Sequence, residues 1–94
     1  MSGEMFCRRV IYHGRVQGVG FRFTAHRIAK QHPVRGFVRN LRDGTVELVA
    51  AGSESAVRRF LGDVLDAMGK GITAADESDW PHALDSTGFE IRRH

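Results

Sequence analysis

Apolar side chains at Phe6, Val10 and Tyr12 fall on one side of a period-two pattern rich in β-branched and aromatic residues, which predicts a strand over 6–12. Arg8 interrupts that apolar side and predicts a frayed or edge-located first half. A glycine-rich stretch follows. From Phe21 to Gln31 the apolar residues Phe21, Ala25, Ile28 and Ala29 share one helical face. Pro33 closes this helix, because the residue before a proline is pushed out of helical backbone angles. Val34–Leu41 and Thr45–Ala51 read as two further strands, the second with Val46, Leu48 and Ala50 facing one way. Asp43-Gly44 between them is a tight-turn signal, so the pair should form a hairpin. Ser53 caps a second helix that runs to Met68, with Val57, Phe60, Leu61, Val64, Leu65 and Met68 as its apolar stripe. Gly69 and Gly71 end it. Ile72–Trp80 is acidic and reads as a weak strand, and Gly88–Arg93, with Phe89 and Ile91 alternating, as a short final one.

The order is β-α-β-β-α-β with room for an extra strand at the end. This predicts an α+β, ferredoxin-like sandwich: an antiparallel sheet with two helices on one face. Residues 1–94 are expected to form a single domain, with residues 1–4 flexible. Such a fold hosts enzymes, RNA binders and metal chaperones alike, so function has to be read from a site.

Composition narrows the setting more than the chemistry. A chain of 94 residues, 41% hydrophobic and 27% charged, is ordinary for a soluble domain with one modest core. No apolar run approaches the roughly 20 residues of a membrane span. Met1–Glu4 has no basic stretch leading into an apolar one, so no secretory leader is expected. The lone Cys7 has no intrachain partner and favours a reducing cytoplasm. A net charge of +3 leans toward anionic ligands but is spread along the chain, and by itself decides nothing.

The chemistry concentrates in Gly14-Arg15-Val16-Gln17-Gly18-Val19-Gly20-Phe21-Arg22. Glycines between a strand and a helix let successive amides turn toward one anion, and the helix start adds unpaired N–H groups. Arg22, in the first helical turn, supplies a planar fork of donors and should lean back over the loop. These residues form a candidate phosphate cradle. Familiar nucleotide loops do not fit: Gly20 is followed by Phe21-Arg22 rather than Lys-Ser/Thr, and Phe23 stands where a dinucleotide loop needs its third glycine. Cys7 lies on the preceding strand, outside the loop a thiol phosphatase would use. His13, His26, His32, His82 and His94 lack metal-ligand spacing and read as solvent-facing or packing residues, so no metal is expected. Arg35-Gly36-Phe37 imitates the start of an RNA-recognition motif. It lies on the wrong strand, however, and Phe37 has no evident stacking partner, so no nucleic-acid partner is expected.

The 14–22 loop, together with Gly36-Phe37-Val38-Arg39-Asn40, Asp43-Gly44-Thr45-Val46-Glu47 and the closing Gly88-Phe89-Glu90-Ile91-Arg92, closely resembles the acylphosphatase family over nearly the whole chain. The resemblance implies hydrolysis of acyl phosphates, small-molecule substrates, to a carboxylate and inorganic phosphate. It implies no metal and no cofactor, and with the lone cysteine and the absence of an apolar span the chain is expected to be a cytoplasmic monomer that needs neither membrane nor nucleic acid. Carried onto this sequence, Arg22 matches the phosphate-binding arginine and Asn40 the asparagine that positions the attacking water. The amides of Arg15, Val16, Gln17, Gly18, Val19, Gly20 and Phe21 match the phosphate-binding loop. The chain departs from the family at Ala74–Asp79, polar where a convincingly apolar strand is common. A rival reading keeps the cradle but makes the domain a non-enzymatic anion-binding or regulatory module.

Overall fold

The computed structural model describes residues 6–93; the expectations for residues 1–4 and for His94 lie outside them. The chain runs β1 (Phe6–Gly14), α1 (Phe21–Ala29), β2 (Arg35–Asn40), β3 (Val46–Gly52), α2 (Glu54–Met68), a 3-10 turn (Gly69–Gly71), β4 (Ile72–Asp79) and β5 (Phe89–Arg92). The strands make one sheet in the order β4-β1-β3-β2-β5. Its first four strands pair antiparallel, as expected of a ferredoxin-like sandwich. β5 departs from the expected antiparallel sheet: it adds alongside β2 in parallel, so the sheet is mixed.

Both helices pack on one face. Strand alternation brings Val10 and Tyr12 from β1, Val38 from β2, and Val46, Leu48 and Ala50 from β3 to that side. There they meet Phe21, Ala25 and Ala29 of α1 and Ala56, Val57, Phe60 and Val64 of α2 in one buried core. Of the predicted α2 stripe, Leu61 and Met68 are partly buried at the rim, and Leu65 is turned out to solvent. α1 stops two residues earlier than predicted. The amides of Lys30, Gln31 and His32 each bond the carbonyl three residues back, tightening the chain ahead of Pro33.

The first half of β1, for which Arg8 predicts a frayed or edge position, is neither: β1 lies between β4 and β3, paired to β3 from Phe6 and to β4 from Arg8. Arg8 is accommodated because it reaches sideways to Glu77 and Asp79 of β4. β4 is therefore a true edge strand held by its ladder and by charge. Apart from its first residue it is exposed throughout, which is why its sequence carries no apolar pattern.

From the end of β4 the chain must cross the whole sheet to reach β5, four strand spacings or about 19 Å. Residues 80–88 do so over the face away from the helices. The guanidinium of Arg35 donates to the Leu84 and Ser86 carbonyls at 3.1 Å each, and Ser86 Oγ donates to the Gly36 carbonyl at 3.3 Å. Trp80 meets Phe37 edge-on with ring centres 6.1 Å apart, while the Arg92 guanidinium lies 4.0 Å over the Phe37 ring. Phe37 thus has partners that its sequence context did not reveal. It is only 2% exposed, so it offers no platform for a nucleic-acid base.

Candidate functional site

The loop between β1 and α1 is pinned on both sides. At its start the Arg15 amide donates to the Gly71 carbonyl at 2.8 Å. The two backbones approach so closely that a Cβ on Gly14 would stand 2.2 Å from the Gly71 oxygen, and one on Gly71 would stand 2.4 Å from the Arg15 oxygen. Farther on, the Gln17 side chain donates from Nε2 to the Leu41 carbonyl at 2.7 Å and to the Thr45 carbonyl at 2.8 Å. That glutamine ties the loop to the β2–β3 turn one residue from Asn40. A lone loop glutamine carries no local pattern; only its distant partners give it meaning.

The turn itself is braced. The Leu41 amide bonds the Thr45 carbonyl at 2.9 Å, and the Asp43 carboxylate accepts from the Thr45 amide at 3.0 Å and from its hydroxyl at 2.5 Å. Those two bonds, the hydroxyl's first, hold the Asp43 carboxyl below its ordinary pKa.

One expected contribution is removed. The Arg15 amide is spent on Gly71 and is no longer available to a ligand. Among the described residues, the amides of Val16 to Gly20 have no backbone or side-chain acceptor. Gly18 and Gly20 hold left-handed angles, with φ of 75° and 78°, that only glycine adopts without cost. Gly20 is the N-cap of α1 and offers no side chain to its first amides. No acidic residue stands in that first turn, and Arg22 within it is partly buried and forms no ion pair among the described residues.

Asn40 closes β2 with the alternation of Val38, so it belongs to the helix-side face. It sits opposite Val46, which in turn sits opposite Tyr12, and the Tyr12 ring lies 4.9 Å from that of Phe21 at the start of α1. One cross-sheet row therefore runs from Asn40 to Tyr12 in two strand spacings, roughly 10 Å, and Tyr12 in turn touches the helix start. Asn40 Oδ1 is buried and has no hydrogen-bond partner among the described residues. Buried carbonyl oxygens are seldom left so.

The hollows around the loop divide its residues. A cleft of about 610 Å³, between the loop and the α2–β4 turn, is lined by Arg15, Val19, Met68, Lys70 and Thr73 among others. A second, of about 380 Å³, is lined by Asn40 with Arg39, Leu41, Arg42 and Arg93. Arg22 lines neither. On the opposite sheet face, Glu47 is 1% exposed and bridged by Arg9 at 2.6 Å and Arg39 at 2.5 Å, an ion-paired cluster that braces β1, β2 and β3. Among the described residues, no three His, Cys, Asp or Glu side chains are grouped so as to hold a metal, and no helix is long and apolar enough to cross a membrane.

Fold and strand order define the ferredoxin-like class of α+β sandwiches. Within it, the acylphosphatase family model matches residues 8–91, and the chain belongs to the acylphosphatase family. An acylphosphatase from Picrophilus torridus is 37% identical over 83 residues, 87% of this chain and 96% of that protein. One from Thermotoga petrophila is 48% identical over 56 residues, 60% of this chain. The chain spans only 54 to 62% of the length of five curated relatives that it matches at 48 to 52% identity. In three dimensions, the crystal structure of an acylphosphatase from Bacillus subtilis superimposes with a TM-score of 0.80 at 31% identity, covering 95% of this chain and 99% of that one.

Proposed function

We propose that this protein is a metal-independent acylphosphatase in which Arg22 and the amides of Val16 to Phe21 hold the phosphoryl group and Asn40 aims a water at phosphorus. The single observation that carries this reading is the buried, unpartnered Oδ1 of Asn40 on the strand end that Gln17 clamps to the loop. An acceptor in that state suits one hydrogen of a bound water, and a neutral amide, unlike a carboxylate, does not repel the phosphate. The loop amides and the Arg22 guanidinium, without partners among the described residues, and the uncapped start of α1 supply positive charge for three phosphoryl oxygens.

An acyl phosphate is a mixed anhydride, and its leaving carboxylate has a pKa near 4, so no general acid is needed to expel it. The water oxygen bonds to phosphorus as the bond from phosphorus to the acyl oxygen breaks. The electron pair leaves with the carboxylate, and the water proton passes to a phosphate oxygen, giving carboxylate and dihydrogen phosphate. Catalysis is then positioning and charge stabilisation rather than covalent chemistry.

The same reading makes residues 1–94 one domain acting as a monomer in the cytoplasm. It is supported by the single thiol of Cys7 and by how few large apolar side chains stand exposed among the described residues: Val19, Phe23 and Leu65.

Hydrolysis of benzoyl phosphate in ¹⁸O-water tests the proposal. The label is expected in inorganic phosphate and not in benzoate. Label in benzoate would move the attack to carbon. Phosphate binding by titration with hydrolysis no faster than background would instead favour a non-enzymatic anion-binding module.

A further inference from the structure

In-line displacement fixes more than the position of the water. The leaving group departs on the side of phosphorus opposite the attacking oxygen. If Asn40 holds that water, the acyl group cannot occupy the cleft that Asn40 lines with Arg42 and Arg93; it must point the other way along the loop. The loop spans the end of the sheet from the β2–β3 turn, where Gln17 is tied, to the α2–β4 turn, where Arg15 is tied. The far side of the loop is therefore the cleft of about 610 Å³ beside Arg15 and Val19.

We propose that this cleft receives the acyl portion of the substrate and favours acyl phosphates whose apolar body ends in a second negative charge. Val19, Ala67 and Met68 supply the apolar lining, and Val19 is 45% exposed although it sits in the loop itself. Arg15 and Lys70 stand at the same cleft without ion pairs among the described residues, against one acid, Asp66. An apolar wall and two cations together recognise an anionic organic acid rather than a neutral or cationic one. The inference rests on the acylphosphatase reading, and the test separates the two.

The measurement compares kcat/KM for benzoyl phosphate and for 4-carboxybenzoyl phosphate, each relative to its own spontaneous hydrolysis. The wild-type protein is expected to favour the carboxylated substrate roughly fivefold at low salt, the worth of a partly exposed charge pair. The preference should shrink at high salt and lie in KM. It should disappear in Lys70→Ala and Arg15→Ala, reverse in Lys70→Glu, and survive in Arg42→Ala. Equal use of both substrates by the wild type overturns the inference alone. So does a preference that Lys70→Ala keeps and Arg42→Ala removes, which would move the acyl group to the other cleft. Failure to hydrolyse either substrate overturns the parent reading, and the inference with it.

Discussion

The two helices of this protein begin in opposite ways. At α2, Ser53 sits in extended backbone and its Oγ accepts the Ala56 amide at 3.2 Å, with Glu54 in the first turn to meet the helix dipole. At α1, Gly20 offers no side chain, the first turn has no acid, and it carries Arg22, whose guanidinium forms no ion pair among the described residues. A cap and an acid each add stability, and both would occupy or repel whatever binds a helix start. α2 spends its start on the fold. α1 leaves its start open, and in the proposed reading a bound phosphate would recover the stability forgone there.

Breaking the open start should have the largest effect. Arg22→Ala is expected to lower kcat/KM for benzoyl phosphate by about 10³-fold, with loss in both kcat and KM, because the guanidinium serves ground state and transition state alike. Asn40→Ala should lower kcat by roughly 10²-fold while competitive inhibition by inorganic phosphate stays near the wild-type value, since the cradle is left in place. Gln17→Ala removes the clamp between loop and turn rather than a group that touches substrate. It is expected to cost about tenfold in kcat/KM through misplacement, together with about 1–2 kcal/mol of stability in a denaturant titration.

The smallest effects sharpen the contrast best. Ser53→Ala should cost about 1 kcal/mol and lower Tm by roughly 4–8 °C without changing kcat/KM per folded molecule. Phe23→Glu places an acid in the first turn of α1 at a side chain already 75% exposed. It should hold or raise Tm while raising KM and the phosphate inhibition constant by about three- to fivefold. If Phe23→Glu binds phosphate as well as the wild type, the start of α1 is not the cradle.

Legibility from sequence followed the same division between local and distant causes. α2 was readable to its ends because stripe, cap and terminating glycines all lie within its own span. The Asp43-Gly44 hairpin was readable because the turn chemistry is local. β4 leaves only a faint strand pattern in the sequence, since an edge strand paired to β1 through charge needs no apolar alternation. The expectation of a frayed or edge-located first half for β1 has the same origin: Arg8 looks wrong for an interior strand until its partners on β4 are known. In the candidate site, the family resemblance put forward Arg22 and Asn40, but the engagement of the Arg15 amide and the clamp by Gln17 depend on contacts with Gly71, Leu41 and Thr45, far along the chain.

The back of the sheet has a practical consequence. Trp80 is the only indole in the sequence, and it packs against Phe37 and His82 on the face turned away from α1 and the loop. Ultraviolet emission from this protein is therefore a gauge of whether residues 80–88 remain strapped across the strands, and a poor witness to occupancy of the loop. A dye or a second tryptophan placed at Phe23 would watch ligand arrival, leaving the native fluorophore to monitor unfolding in the same cuvette.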